Sequence, residues 1–358
     1  MSRWITTFVA TSLVVLNSQE LWSWGQPRTT SPDSAQTSIN KDAFPLNDQQ
    51  GWYTRESYLL WTPHEDDVDW GAKLSTSITS EIDVKTHLKK PDAGWYSGVR
   101  LAVGRYLPNH DHWDISLIGT YFYANTENES STSVDKGGSL ISLWSPISPA
   151  FNFSSGKGNW RLNFFTWDLA FGRNLYLSSK IAVHPYFALR SYLFYDHQSA
   201  KFTGPSASSV KFNGHNNSWG LGPRAGTDFT FYINKFWTLI GSLSGSVLLG
   251  SYNVSENIRN RTSDETKYGF NVSDHGYDVR SNLEGSLGMG WEKWVSRNRV
   301  RIAPSIVFEA AEWFDMNQWI VLRNNTSNAP TDLQYYNTDR KHGDLTLFGF
   351  TFNLQVDF

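Results

Sequence analysis

The chain has 358 residues, a formal net charge of −3 and no cysteine. That balance excludes the strongly basic surface of a nucleic-acid binder, and the missing thiols exclude disulfides, thiolate catalysis and cysteine-based metal sites. Aromatic residues make up 15% of the chain, with 17 Trp, 16 Tyr and 22 Phe, high for a soluble domain but ordinary for a chain with aromatic belts at a membrane surface.

The N-terminus reads MSRWITTFVATSLVVLNSQ, with Arg3 ahead of a mostly apolar run from Trp4 to Leu16. That run has the length of a signal-peptide core and is too short to span a bilayer as a helix. The pattern predicts a signal peptide over 1–18, with cleavage as late as about residue 25. No later stretch approaches the length of a membrane-spanning helix. Residues 19–51 are polar and rich in Pro, Ser and Thr toward their end, which predicts a flexible lead-in.

From Trp52 onward the pattern is period 2. Strands are expected at 52–61, 67–76, 80–89, 94–106, 112–124, 160–174, 181–196, 218–233, 236–250, 281–293, 299–314 and 344–358. Phe165, Trp167 and Leu189 fall on the apolar face, as do Leu221, Phe229, Leu243, Val247, Leu287, Ile302, Ile306 and Phe352. The opposite face mixes Gly and Ser with charges of both signs, which suits a crowded polar interior.

Short turns at 107–111, 178–180, 234–235 and 294–298 alternate with long polar connections at 125–159, 197–217, 251–280 and 315–343. Short turns on one side and long loops on the other are the signature of an outer-membrane barrel. The expected fold is therefore all-β: an antiparallel transmembrane β-barrel over 52–358, of about twelve strands (10–14 allowed), with both termini periplasmic. A further hairpin inside 134–153 would give fourteen strands. Trp113, Trp237, Trp291 and Trp294 adjoin short turns and predict the lower aromatic belt. The chain closes on LTLFGFTFNLQVDF, alternating to a terminal Phe358. That ending resembles the signal read by the barrel assembly machinery, an expected partner together with outer-membrane lipid and lipopolysaccharide.

Three segments carry a family resemblance: GVRLAVGRYLPNHDHWDISLIGTYFYA (98–124), WDLAFGRNLYLSSKIAVHPYFALRSYLFYDH (167–197) and SWGLGPRAGTDFTFYINKFWTLIGSLSGSVLLG (218–250). Their characteristic run is Trp167, Asp168, Leu169, Gly172, Arg173, Asn174 and, after a short turn, Pro185. They resemble the pore-forming outer-membrane proteins of the Legionella major outer-membrane type, which also occur in chlamydia-like bacteria. The resemblance covers roughly 52–358. It implies an outer-membrane porin with no cofactor. The lack of cysteine departs from the chlamydial proteins, whose cysteines cross-link the envelope.

The polar faces supply Arg100, Asp114, Asp168, His184, Arg190, Arg224, Asp228, Glu284, Glu292, Arg301 and Glu309. These are the expected pore-lining residues, along which ions and small hydrophilic solutes would diffuse. Asp228 shares a face with Arg224 and Glu309 with Arg301, whereas Glu284 and Glu292 stand on a face without a basic residue. The competing possibility is a barrel whose charges pair and fill the lumen, serving a structural or adhesive role through its loops. An enzyme is not expected. His184 and Asp168 lie on neighbouring strands, but the turn at 178–180 would set Asp168 opposite residue 190, giving an ion pair with Arg190. His110 and His112 alone do not make a metal set, and no phosphate or calcium loop is present. A homo-oligomer remains open.

Overall fold

The computed structural model describes residues 51–78, 82–92, 94–107, 112–133, 138–146, 153–204, 208–261, 267–295, 300–324 and 336–358. The expected signal peptide, nearly all of the lead-in and His110 lie outside the described residues. In chain order the strands are β1 (Trp52–Glu65), β2 (Gly71–Ile78), β3 (Ile82–Lys89), β4 (Tyr96–Tyr106), β5 (Trp113–Ser131) and β6 (Gly138–Ser142). There follow β7 (Ser155–Arg173), β8 (Leu175–Ser178), β9 (Ile181–Thr203), β10 (Ser209–Tyr232), β11 (Trp237–Arg261) and β12 (Lys267–Trp291). The last are β13 (Lys293–Val295), β14 (Val300–Asn317), β15 (Ile320–Asn324), β16 (Tyr336–Arg340) and β17 (Gly343–Asp357).

The wall runs β10-β11-β12-β14-β17-β1-β4-β5-β7-β9, and β9 pairs back onto β10. This closes an antiparallel barrel of ten strands, within the expected range and even in number. The segments expected at 67–76 and 80–89 do form strands, but not in the wall. They are β2 and β3, which join β6 in a separate three-stranded sheet. Among its described residues, the region 134–153 contributes β6, which pairs with β2 outside the wall. Lys85, His87 and Lys89 alternate on one side of β3, which suits water better than lipid.

The terminal strand answers to the first strand. Phe358 N donates to Trp52 O, and Trp52 N donates to Phe358 O, each at 2.9 Å. From there the β1–β17 ladder runs from Tyr53↔Asp357 to Glu65↔Leu345. Trp52 and Phe358 thus lie together at the end of the barrel that carries the short turns. At one of these, Asn234 Oδ1 accepts from Phe236 N at 2.9 Å and Trp237 N at 3.0 Å, a side-chain brace for the tight reversal.

Side chains separate as the period-2 pattern requires. Trp167, Leu189, Leu221, Phe229, Leu243, Val247, Leu287, Ile306 and Phe352 are exposed on the outside, with Phe165 and Ile302 half-buried. Such a density of exposed large apolar groups has one stable solvent, lipid. Trp52 and Trp237 remain exposed at the turn end. The outward apolar run stops at Leu60 on β1, Tyr195 on β9 and Leu249 on β11, beyond which His64, His197 and Ser251 face outward. The strands continue past this band, so much of each expected long loop is ordered β-structure. Buried Trp70, Trp144, Phe153, Phe202, Phe212, Trp319 and Val321 pack together there.

Candidate functional site

All eleven expected interior residues project inward and are joined into ion-paired groups. On adjacent strands β7 and β9, Asp168 and Arg190 are register partners. Arg190 Nε donates to Asp168 Oδ1 at 2.6 Å and Nη2 to Oδ2 at 2.8 Å. Arg224 Nη1, from β10, donates to the same Asp168 Oδ2 at 2.9 Å. Glu284, from β12, bonds both arginines. Two carboxylates and two guanidiniums from four strands thus form one mutually neutralising cluster.

A second group joins Arg100 to Glu309 bidentately, at 2.9 and 3.0 Å. In a third, His184 Nε2 lies 2.7 Å from Asp114 Oδ1, and its Nδ1 lies 3.6 Å from Asp228 Oδ2. Tyr53 Oη donates to Asp114 Oδ2 at 2.6 Å. Gly104 makes room for that tyrosine, since a Cβ there would run into the Tyr53 ring. In a fourth, Arg301 bonds Asp357 and reaches Glu292 at 3.3 Å.

The partners differ from what the strand faces alone suggest. Glu284 and Glu292 have basic partners after all: the curved wall brings Arg190 and Arg224 to Glu284, and Arg301, nine residues along on the neighbouring strand, reaches Glu292. Glu309 pairs with Arg100, not Arg301. Asp228 pairs with His184 instead of Arg224. A strand's own face does not reveal what faces it across a narrow lumen. The Asp168–His184 combination is not formed, since each is held by other partners. His112 packs edge-on against Tyr176, with ring centres 5.5 Å apart. Among the described residues no three His, Asp or Glu side chains converge as a metal set.

Above the charged layer lies an aromatic one. Trp61, Phe122, Phe164, Tyr192, Phe194 and Trp313 are buried together. The Arg190 guanidinium lies 5.4 Å from the Trp313 ring centre and that of Arg100 lies 5.5 Å from Trp61, so the two layers are stacked through cation–π contacts. The arginine pattern was visible in the sequence; the aromatic lid was not, because its members alternate in register with small and polar residues on several strands.

Beyond the lipid-facing band the interior holds further buried acids absent from the expected set. Burial pushes the Glu65 carboxyl up to about 8. Burial, and then the adjacent Glu65, holds Asp196 well above the usual carboxylate range. Burial also pushes Glu256 up to about 8, although it accepts from Ile320 N at 2.7 Å. Their strands extend past the expected ends at 61, 196 and 250, so these residues fell at or beyond the limits of the expected strands.

Among solved structures, the chain is similar to the outer membrane protease OmpT of Escherichia coli, with 8% identity over 86% of this chain and 96% of that one, at a TM-score of 0.38. It is similar to the toluene transporter TodX of Pseudomonas putida, with 9% identity over 88% and 91% and a TM-score of 0.30. It is also similar to a major outer membrane protein of Thermus thermophilus, with 12% identity over 85% and 99% and a TM-score of 0.25. Likenesses this distant carry no argument about activity. No curated protein matches the chain. The sequence profile of the Legionella pneumophila major outer membrane protein precursor matches residues 45–358, in accord with the closed barrel, its lipid-facing band and its charged interior, and the chain belongs to this outer-membrane protein family.

Proposed function

We propose that the protein is a narrow outer-membrane channel of the porin class, passing ions and small hydrophilic solutes along its charged interior. The observation that carries this reading is the set of paired charges in the interior at membrane height. Buried ion pairs gain little stability over apolar packing of the same volume. A purely structural barrel would be better filled with apolar residues, whereas a hydrated path uses charges that can rearrange around a passing ion. The constriction in this reading is the Arg100–Trp61 and Arg190–Trp313 layer. Asp168 and His184 are committed to other partners, so the reading assigns no catalytic step.

Purified protein in planar bilayers should show small stepwise conductance, and Trp313→Ala should enlarge the step. Folded wild type and Trp313→Ala that both fail to conduct would sink the channel reading. The fully buried Phe122 and nearly buried Trp313 favour a second reading, a closed structural or adhesive barrel. In that case replacing the β15–β16 hairpin would abolish cell binding while permeability stays at background.

The same reading places Phe358 as the assembly-machinery signal and lipopolysaccharide around the outer rim. Lys157, Lys201, Lys211 and Arg259 are register partners across β7, β9, β10 and β11, an outward basic row suited to lipid phosphates.

A further inference from the structure

Just past the lipid-facing band, the interior gathers oxygen atoms that bond to nothing. Glu65, Asp196, Gln198, Asn216 and Asn317 are 3, 1, 1, 0 and 0% exposed. Among the described residues, Glu65 Oε1, both Asp196 carboxylate oxygens, Gln198 Oε1, Asn216 Oδ1 and Asn317 Oδ1 are buried without a hydrogen-bond partner. A buried unpaired oxygen costs about 1–3 kcal/mol, more if charged. Six in one neighbourhood therefore require an explanation.

The fold brings them together. Asp196 on β9 is the register partner of Asn216 on β10, and Gln198 is the next inward residue on β9. Glu65 on β1 pairs with Leu345, while Asn317 on β14 pairs with Gly343, two residues away on the same strand. The Glu65 carboxyl faces Asn317, Trp160 and Asp196. Each amide is oriented by one N–H bond to a backbone carbonyl, which turning it round would break. Gln198 Nε2 donates to Val68 O at 2.6 Å, Asn216 Nδ2 to Met316 O at 3.3 Å, and Asn317 Nδ2 to Asp66 O. Their oxygens are left buried without a donor. The nearby cation Arg280 directs Nη1 to Ser218 Oγ at 2.9 Å and Met316 O at 2.8 Å, while its Nη2 is buried without a partner.

We propose that Glu65, Asp196, Gln198, Asn216 and Asn317 bind one divalent cation of the calcium type in the outer half of the barrel. The donor set is all oxygen, with two carboxylates to balance two positive charges and three amide carbonyls to complete six positions. That is a hard-cation set, and calcium accepts six to eight such oxygens in irregular geometry. The absence of nitrogen and sulfur donors disfavours zinc or copper. A bound ion would tie β1, β9, β10 and β14 together at the rim, and through the amides it would fix the backbone at Asp66, Val68 and Met316. The site rests on the packed interior and not on the channel reading, so it stands whether or not the barrel conducts.

Terbium, which takes calcium's ligands, tests it on the full-length refolded protein. Trp160 Nε1 donates to Glu65 Oε2 at 3.1 Å, so tryptophan excitation should sensitise saturable terbium emission that calcium competes away. Glu65→Gln with Asp196→Asn should weaken calcium binding by about 100-fold or more. With chelator present this double variant should be at least as heat-stable as wild type, because two buried carboxyls without a cation are replaced by neutral amides. With calcium, wild type should gain melting temperature and the variant should not. Absence of saturable emission, emission unchanged in the double variant, or a wild-type melting temperature indifferent to calcium would each overturn the site. The last of these would mean that the two carboxyls share a proton instead.

Discussion

Arg190 lies against Asp168 through two hydrogen bonds, and both residues are almost fully buried at mid-barrel. Their partnership follows from the short β7–β9 connection, which fixes the register, and from period 2, which sends both side chains inward. Arg224 completes the cluster from β10, the next strand, and Glu284 from β12, two strands further along the wall.

Removing one member of such a cluster should cost more than removing a pair. Asp168→Leu should destabilise by about 3–5 kcal/mol, because Arg190 and Arg224 lose a shared buried partner. Asp168→Leu with Arg190→Leu should cost less than the two single changes summed, with a coupling of about 0.5–3 kcal/mol. Urea unfolding of the four proteins in vesicles measures this cycle; additive costs would mean that the pair is hydrated and weak.

The outward face offers a sharper contrast. Leu243 is exposed to the lipid band, so Leu243→Arg should cost about 2–4 kcal/mol near the midplane. Leu243→Phe should stay within about 1 kcal/mol, since it keeps an apolar group in lipid. Reversible folding titrations report both, and a similar small cost for the two would place residue 243 away from hydrocarbon.

Glu256 supplies a pH dependence. Its carboxyl sits at about 8 in the folded protein, raised by burial from 4.5. Below the unfolded value both states hold the proton and Glu256 contributes its full stabilisation. As pH rises toward 8 the unfolded chain has lost the proton while the folded one retains it, so that contribution declines and then levels off. Glu256→Gln, which keeps an acceptor for Ile320 N, should flatten the loss. Hydrogen exchange across β15 between pH 5 and 9 reads this directly; an unchanged slope in the variant would assign the pH dependence to another group.

Ion preference should be weak. Every acidic member of the expected interior set has a basic or imidazole partner within about 4 Å. Cation and anion permeabilities should therefore differ by no more than about threefold. Reversal potentials across a salt gradient give the ratio, and a strongly cation- or anion-selective conductance would contradict the paired interior.

Period 2 was enough to specify the barrel class, the lipid face and the inward direction of all eleven charged residues, because a strand's alternation is local. Asp168 opposite Arg190 was legible for the same reason: a short turn fixes the register of its two flanking strands. The partners of Glu284 and Glu309 were not legible, since residues on strands that are not neighbours meet only after the wall has curved round. The same limit hid the place of β2 and β3, whose alternation suits any sheet, and the long polar halves of β9 to β12, whose Asn, Ser and Thr read as loop until neighbouring strands satisfy their backbones. It also hid the Trp61–Phe122–Trp313 layer and the oxygen cluster around Glu65 and Asp196, each assembled from residues that are distant in sequence and made neighbours by the circumference of ten strands.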